Sequence, residues 1–173
     1  MNLHEIKNKL FDKITLSFEE TTFLFDLIMK GQVEEIDLSS ILIALKIKNE
    51  EINEIHGAAK IMIENSLKIS SPINTIDTCG TGGDKSGTLN ISTSAAIVAA
   101  SAGAKVAKHG NRSISSKSGS ADMLENLNFK ISSKKDELEK SLNEKNFCFL
   151  FAQYHHSAMK HVAKVRKQLG TRT

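Results

Sequence analysis

Asp77, Thr78, Cys79, Gly80, Thr81, Gly82, Gly83, Asp84, Lys85, Ser86, Gly87, Thr88, Leu89, Asn90, Ile91, Ser92 and Thr93 form the stretch whose residue types could do chemistry. Glycines and hydroxyl residues crowd the junction between a short apolar β-type run, 73–76, and an alanine-rich helix. Without Cβ, glycine lets backbone N–H groups turn toward a bound anion, and a helix N-terminus adds partial positive charge. Phosphate is the ligand such a loop holds. A plain glycine turn seldom runs into so polar a helix start. Two familiar phosphate loops fail on spacing. A Walker A loop has glycine directly before its lysine, where Asp84 precedes Lys85, and a dinucleotide fingerprint counted from Gly80 needs glycine at position 85. Asp84 is expected to accept hydrogen bonds from a sugar or the backbone, or to help organise cations.

A second group follows the next β-type run: Lys108, His109, Gly110, Asn111 and Arg112, with Ser113, Ser115, Ser116 and Ser120 beyond. At the carboxyl end of a strand, such residues face the usual ligand crevice of an α/β sheet. The alternative is a solvated basic turn. His155, His156 and His161 have poor spacing for one helix face and no flanking carboxylate, which favours structural histidines, or ones that support a neighbouring group, over a metal site. On composition alone Arg166, among Lys160, Lys164 and Lys167, is a surface charge.

Taken together, 77–93 and 108–112 resemble the anthranilate phosphoribosyltransferases of tryptophan biosynthesis. The likeness extends to Ser118, Gly119, Ser120, Ala121 and Asp122, to His156, Ser157, Ala158, Met159 and Lys160, and to Val165 and Arg166. It covers the chain from about residue 73 onward, and the helical leader is compatible. The resemblance implies a pentosyltransferase that moves the phosphoribosyl group of phosphoribosyl pyrophosphate (PRPP) to the amine of anthranilate and releases pyrophosphate, with Mg²⁺ as cofactor.

By the same resemblance Gly80, Gly83, Asp84, Thr88, Asn90, Ile91, Ser92, Thr93, Lys108, Ser113, Ser115, Ser116 and Ser120 would bind PRPP, with Ser92 a magnesium ligand. Gly80, His109, Asn111 and Arg166 would meet anthranilate, Arg166 through its carboxylate. For Asn90, Ser92 and Thr93 the plainer role is helix capping, which is compatible with phosphate binding. The family tends to carry proline where Gln153 and Lys164 stand here. Thr173 falls in the middle of the family's pattern, so the resemblance implies that about half of the α/β domain, with a second acidic magnesium site, is absent. Two alternatives remain open: a pyrimidine nucleoside phosphorylase-like enzyme of the same fold, and a non-catalytic fragment that keeps folding or dimerisation.

These residues need elements to hold them. Residues 1–70 read as a helical domain: Leu3, Ile6 and Leu10 share one face and Leu24, Leu27 and Ile28 another, Ser17 to Glu20 has the S-x-x-E capping form, and Gly31 is placed as a helix stop. After Pro72, β-type runs at 75–77, 105–108, 129–131 and 147–151 alternate with helical runs at 92–102, 119–126 and 134–143. That alternation predicts a mainly parallel α/β domain over 71–173. The net charge of +3, with lysines scattered among glutamates, excludes a nucleic-acid footprint. The longest low-polarity run, 94–104, is too short to span a bilayer. Cys79 and Cys148 form no disulfide framework, and Cys79 is expected to be a small buried residue. A cytoplasmic protein, homodimeric through the helical domain, is the expectation.

Overall fold

Ser17 opens a helix in the way its spacing predicts. Its Oγ accepts the Glu20 N–H at 3.2 Å while the Glu20 carboxylate accepts the Ser17 N–H at 2.9 Å. The computed structural model describes residues 1–80, 90–112, 119–171 and 173. Along it run α1 (Leu3–Phe11), α2 (Phe18–Met29), α3 (Glu35–Lys48), α4 (Ile52–Glu64), α5 (Ile91–Ser101), β1 (Val106–Gly110), α6 (Ser120–Asn126), α7 (Lys135–Lys145), β2 (Phe147–Phe151), α8 (Ala152–His155), a 3-10 turn (Ser157–Met159) and α9 (Lys160–Leu169). They form two units, 1–66 with 156–173, and 67–155.

In the helical unit, Ile6, Leu10, Leu24, Ile28, Ile41, Val162 and Val165 share one buried core. Gly31 follows the end of α2 with φ +70°, a left-handed conformation that ends a helix and that a side chain would strain. The sequence reading took 71–173 as one α/β domain; by packing, 156–173 joins the helical unit. Val162 and Val165, three apart on α9, bury their stripe in the helical core, and Lys164 pairs with Glu35 of α3 at 2.6 Å.

The α/β unit is built on two parallel strands, with Val106 opposite Phe147 and Gly110 opposite Phe151. The 75–77 run adds one parallel bridge, in which the Ile76 N–H donates to the Lys105 carbonyl at 2.9 Å and the Ala107 N–H to the Ile76 carbonyl at 3.0 Å. Alternation along the strands sorts the faces. Val106, Phe147, Phe149 and Phe151 pack with Ala96 and Ala100 of α5 and Ala121 and Leu124 of α6. Ala107, Cys148 and Leu150 pack with Leu138 and Leu142 of α7. A parallel sheet covered on both faces accounts for the unbroken apolar run of β2.

One expected strand is not a strand. Asn128 takes φ +59° and the Phe129 N–H donates to the Leu124 carbonyl at 2.9 Å, so this segment closes the end of α6. Phe129 then meets Phe147 edge to face, with ring centres 5.3 Å apart.

Gly110 ends β1 at a close approach. A Cβ there would lie 2.6 Å and 2.9 Å from ring carbons of Phe149 and 2.7 Å from the Ser120 Cβ. Gly110→Ala is therefore expected to destabilise this unit by about 1–3 kcal/mol. The check is the urea midpoint at constant m-value; an unchanged midpoint would show that the sheet and α6 can part here without cost.

Candidate active site

Asn90 caps α5, its Oδ1 accepting the Thr93 N–H at 3.2 Å and the Ser92 hydroxyl at 3.4 Å. Its Nδ2 donates to the Ser120 hydroxyl at 3.4 Å, and the buried Thr93 hydroxyl donates to the same oxygen at 2.9 Å. Ser120 is the first residue of α6, so the starts of α5 and α6 meet in one cluster of hydroxyl and amide groups. Thr78 ties the incoming chain to it by donating from Oγ1 to the Ser92 carbonyl at 2.8 Å. Ile91 is exposed at the helix start. At Gly80 a Cβ would meet nothing within 4 Å among the described residues.

Lys108 is only 1% exposed although it carries an ammonium group. Alternation puts it on the same strand face as Val106 and Gly110, toward α5 and α6. Among the described residues, its Nζ donates to the His109 carbonyl at a long 3.4 Å. Burial pushes its pKa below the ordinary lysine value, against the opposing pull of Cys79 and Asp77. Among the described residues this ammonium is desolvated and thinly bonded, which makes its charge costly in the protein alone.

Asp77 joins two segments. Oδ1 accepts the Cys79 N–H at 2.9 Å and the His109 N–H at 3.2 Å, while Oδ2 lies 2.8 Å from the His109 Nδ1. The buried His155, at the end of α8, meets His109 edge to face with ring centres 4.7 Å apart. The Asn111 carbonyl accepts the Ala121 N–H at 3.2 Å, and its side-chain oxygen accepts the Arg112 N–H at 2.8 Å. Arg112 forks onto Glu125 at 2.6 Å and 2.7 Å, reaches Asp122 at 3.2 Å and lies over the Phe151 ring. Its hydrogen bonds and charge contacts with those carboxylates raise its pKa further.

Thus Gly80, Asn90, Ile91, Ser92, Thr93, Lys108, His109, Asn111 and Ser120 all belong to the α/β unit. Arg166 stands on α9 in the helical unit, next to the buried Val165. Gly83, Asp84, Thr88, Ser113, Ser115 and Ser116 lie outside the described residues. Cys79, expected to be buried, is exposed, because the chain there has left the sheet. Cys148 is the buried thiol, its pKa pushed up to about 12 by burial and then by Asp77. Sequence reasoning gave Asp77 and Arg112 no role of their own. A carboxylate opening the glycine loop, and acidic residues ten and thirteen positions after an arginine, were the available signals.

Two family models cover the chain: a glycosyl transferase helical bundle domain over residues 4–66 and a glycosyl transferase a/b domain over residues 73–173. The chain belongs to this glycosyl transferase family. Its relatives include the anthranilate phosphoribosyltransferases of Saccharolobus solfataricus, 51% identical over the whole chain and 50% of the relative, and of Chromobacterium violaceum, 48% identical over 96% of the chain and 49% of the relative. Among solved structures, anthranilate phosphoribosyltransferase from Thermus thermophilus matches at TM-score 0.88 and 39% identity, over 97% of this chain and 51% of that one. The Saccharomyces cerevisiae enzyme in complex with PRPP and Mg matches at TM-score 0.88 and 31% identity, over 99% of this chain and 52% of that one. The likeness read from the motifs is borne out. This glycosyl transferase chain spans about half the length of the curated relatives it matches. Among its described residues, no helix is long and apolar enough to cross a membrane.

Proposed function

We propose that the chain takes part in transferring the phosphoribosyl group of PRPP to the amine of anthranilate, the tryptophan-biosynthetic step after which its relatives are named. The observation that carries this reading is the buried Lys108 ammonium, on the strand face shared with the hydroxyl-lined starts of α5 and α6. The difficulty of the reaction is charge separation: positive charge develops at the anomeric carbon while pyrophosphate leaves with its negative charge. Lys108 and the hydroxyls of Ser92, Thr93 and Ser120 would hold the departing phosphates, with the N-terminal dipole of α5 adding to them. Asn90 would keep those hydroxyls in place. Glycine at position 80 leaves room for a ligand to lie against the backbone.

The Ser92 hydroxyl fits a magnesium ligand. It donates one hydrogen bond and keeps oxygen lone pairs for a hard cation, which takes its other ligands from phosphate and water. Bound Mg²⁺ would neutralise pyrophosphate charge. His109 and Asn111 would border the anthranilate amine, and the planar fork of Arg166 suits its carboxylate. Gly83, Asp84, Thr88, Ser113, Ser115 and Ser116 complete the proposed PRPP set. Homodimerisation through the helical unit has support in an apolar groove between α1 and α3, lined by Leu10, Phe11, Ile43, Ala44 and Ile47, with Phe11 and Ile47 exposed. We place the protein in the cytoplasm, in keeping with its two free cysteines.

The test is calorimetric titration of the 173-residue chain with PRPP in Mg²⁺, then with anthranilate, alongside a product assay. Binding of both ligands is expected, with Arg166→Ala weakening anthranilate by about 1.5–3 kcal/mol and PRPP far less. Failure to bind PRPP, or phosphorolysis of a pyrimidine nucleoside in its place, would overturn the proposal.

A further inference from the structure

The Asp77 carboxylate takes hold of His109 twice, at the backbone N–H and at the ring, and with Oδ1 also holds the Cys79 N–H. An ionised carboxylate can only accept hydrogen bonds, so the ring nitrogen 2.8 Å away must carry the proton. With Nδ1 protonated, the neutral ring has its lone pair on Nε2. We infer that Asp77 is a positioning residue that fixes His109 as the Nδ1–H tautomer, with Nε2 the nitrogen that accepts the proton of the attacking amine. This rests on the transferase reading above.

The balance is simple. The amine lone pair forms the C–N bond as the C–O bond to pyrophosphate breaks, and that electron pair leaves with pyrophosphate. The surplus N–H proton passes to Nε2, and the imidazolium so formed lies against the Asp77 carboxylate, which stabilises it. Two further features suit the role. The Asp77–Cys79 bond starts the turn into the glycine loop, so one carboxylate sets both the loop entry and the imidazole orientation. The pair is about one-third exposed, His109 at 36% and Asp77 at 33%, so a ligand can reach it. Lys108, Cys79, Cys148 and His155 are other titratable groups of this unit around the pair.

Nitrogen-15 NMR of the His109 ring reads the tautomer without substrate. The wild-type chain and Asp77→Glu are expected to show Nδ1–H. In Asp77→Asn the side-chain amide can donate to Nδ1, and the ring should move to the Nε2–H form. An Nε2–H ring in the wild type, or an unchanged ring in Asp77→Asn, would overturn the inference. In single-turnover transfer, Asp77→Asn should be slower by about a hundredfold or more with PRPP affinity unchanged, and Asp77→Glu should recover much of the rate. A wild-type rate in Asp77→Asn would remove the proton-accepting role. A wild-type chain that binds neither ligand would instead sink the transferase reading, and the tautomer result would stand apart from it.

Discussion

Lys108→Met is expected to weaken PRPP by about 2–5 kcal/mol, the range for losing one member of a desolvated charge pair, while leaving the chain at least as stable as before. The two halves of this expectation have one cause. Among the described residues the ammonium is 1% exposed, makes one long hydrogen bond and is held below its ordinary pKa by burial, so in the ligand-free protein its charge is a cost. Methionine has a similar length, fills the same space and needs no partner. Pyrophosphate would repay the desolvated charge, and only the lysine can meet it. Calorimetric affinity and the thermal midpoint, measured on one preparation, separate the effects. Unchanged affinity would move the phosphate site away from β1. A lower midpoint would show Lys108 to be structural.

Glu54→Ala should be the most damaging change in the helical unit, at about 3–5 kcal/mol, the scale of breaking a buried ion pair by removing one partner. The Glu54 side chain is 2% exposed and that of Lys48, 2.8 Å away, is 5%. Glu54 also accepts the Leu16 N–H at 3.0 Å and the Glu51 N–H at 2.8 Å. Its loss would leave two amides without their acceptor and the Lys48 ammonium without its counter-charge, holding, among the described residues, only the Asn49 carbonyl at 2.9 Å, so that α3, α4 and the segment before α2 are joined less firmly. Desolvation raises the Glu54 pKa, but the Leu16, Lys48 and Glu51 hydrogen bonds and the Lys48 charge together outweigh it, and the net direction is down. A folded-state pKa below the unfolded value means stability that is present above the ordinary carboxylate range, about 4.3, and lost as pH falls through the lowered value. The stability gap between wild type and Glu54→Gln, measured by urea unfolding, should therefore close below about pH 4. A gap that stays constant to lower pH would mean that the carboxylate charge contributes nothing.

Much of this protein was legible in its sequence because the signals are local. The Ser17 and Glu20 capping pair, the apolar faces of α1 and α2, and the glycine stop at position 31 each act within a few residues, and each stands where its spacing put it. The loop opening at Asp77 and the group 108–112 stood out for the same reason, because glycines, hydroxyls and a cation in short runs are local features of the sequence. What only the tertiary structure decided depends on partners far along the chain. Phe129 is drawn to close α6 and cover Phe147, so a β-type run does not become a strand. Val162 and Val165 complete a core begun more than a hundred residues earlier, which places α9 with the helical unit. Lys108 is buried because strand alternation turns it toward α5 and α6, which settles its burial where the sequence neighbourhood left a solvated basic turn as the alternative. Asp77 meets His109 only because Ile76 bridges to β1 and brings positions 32 residues apart into hydrogen-bond range.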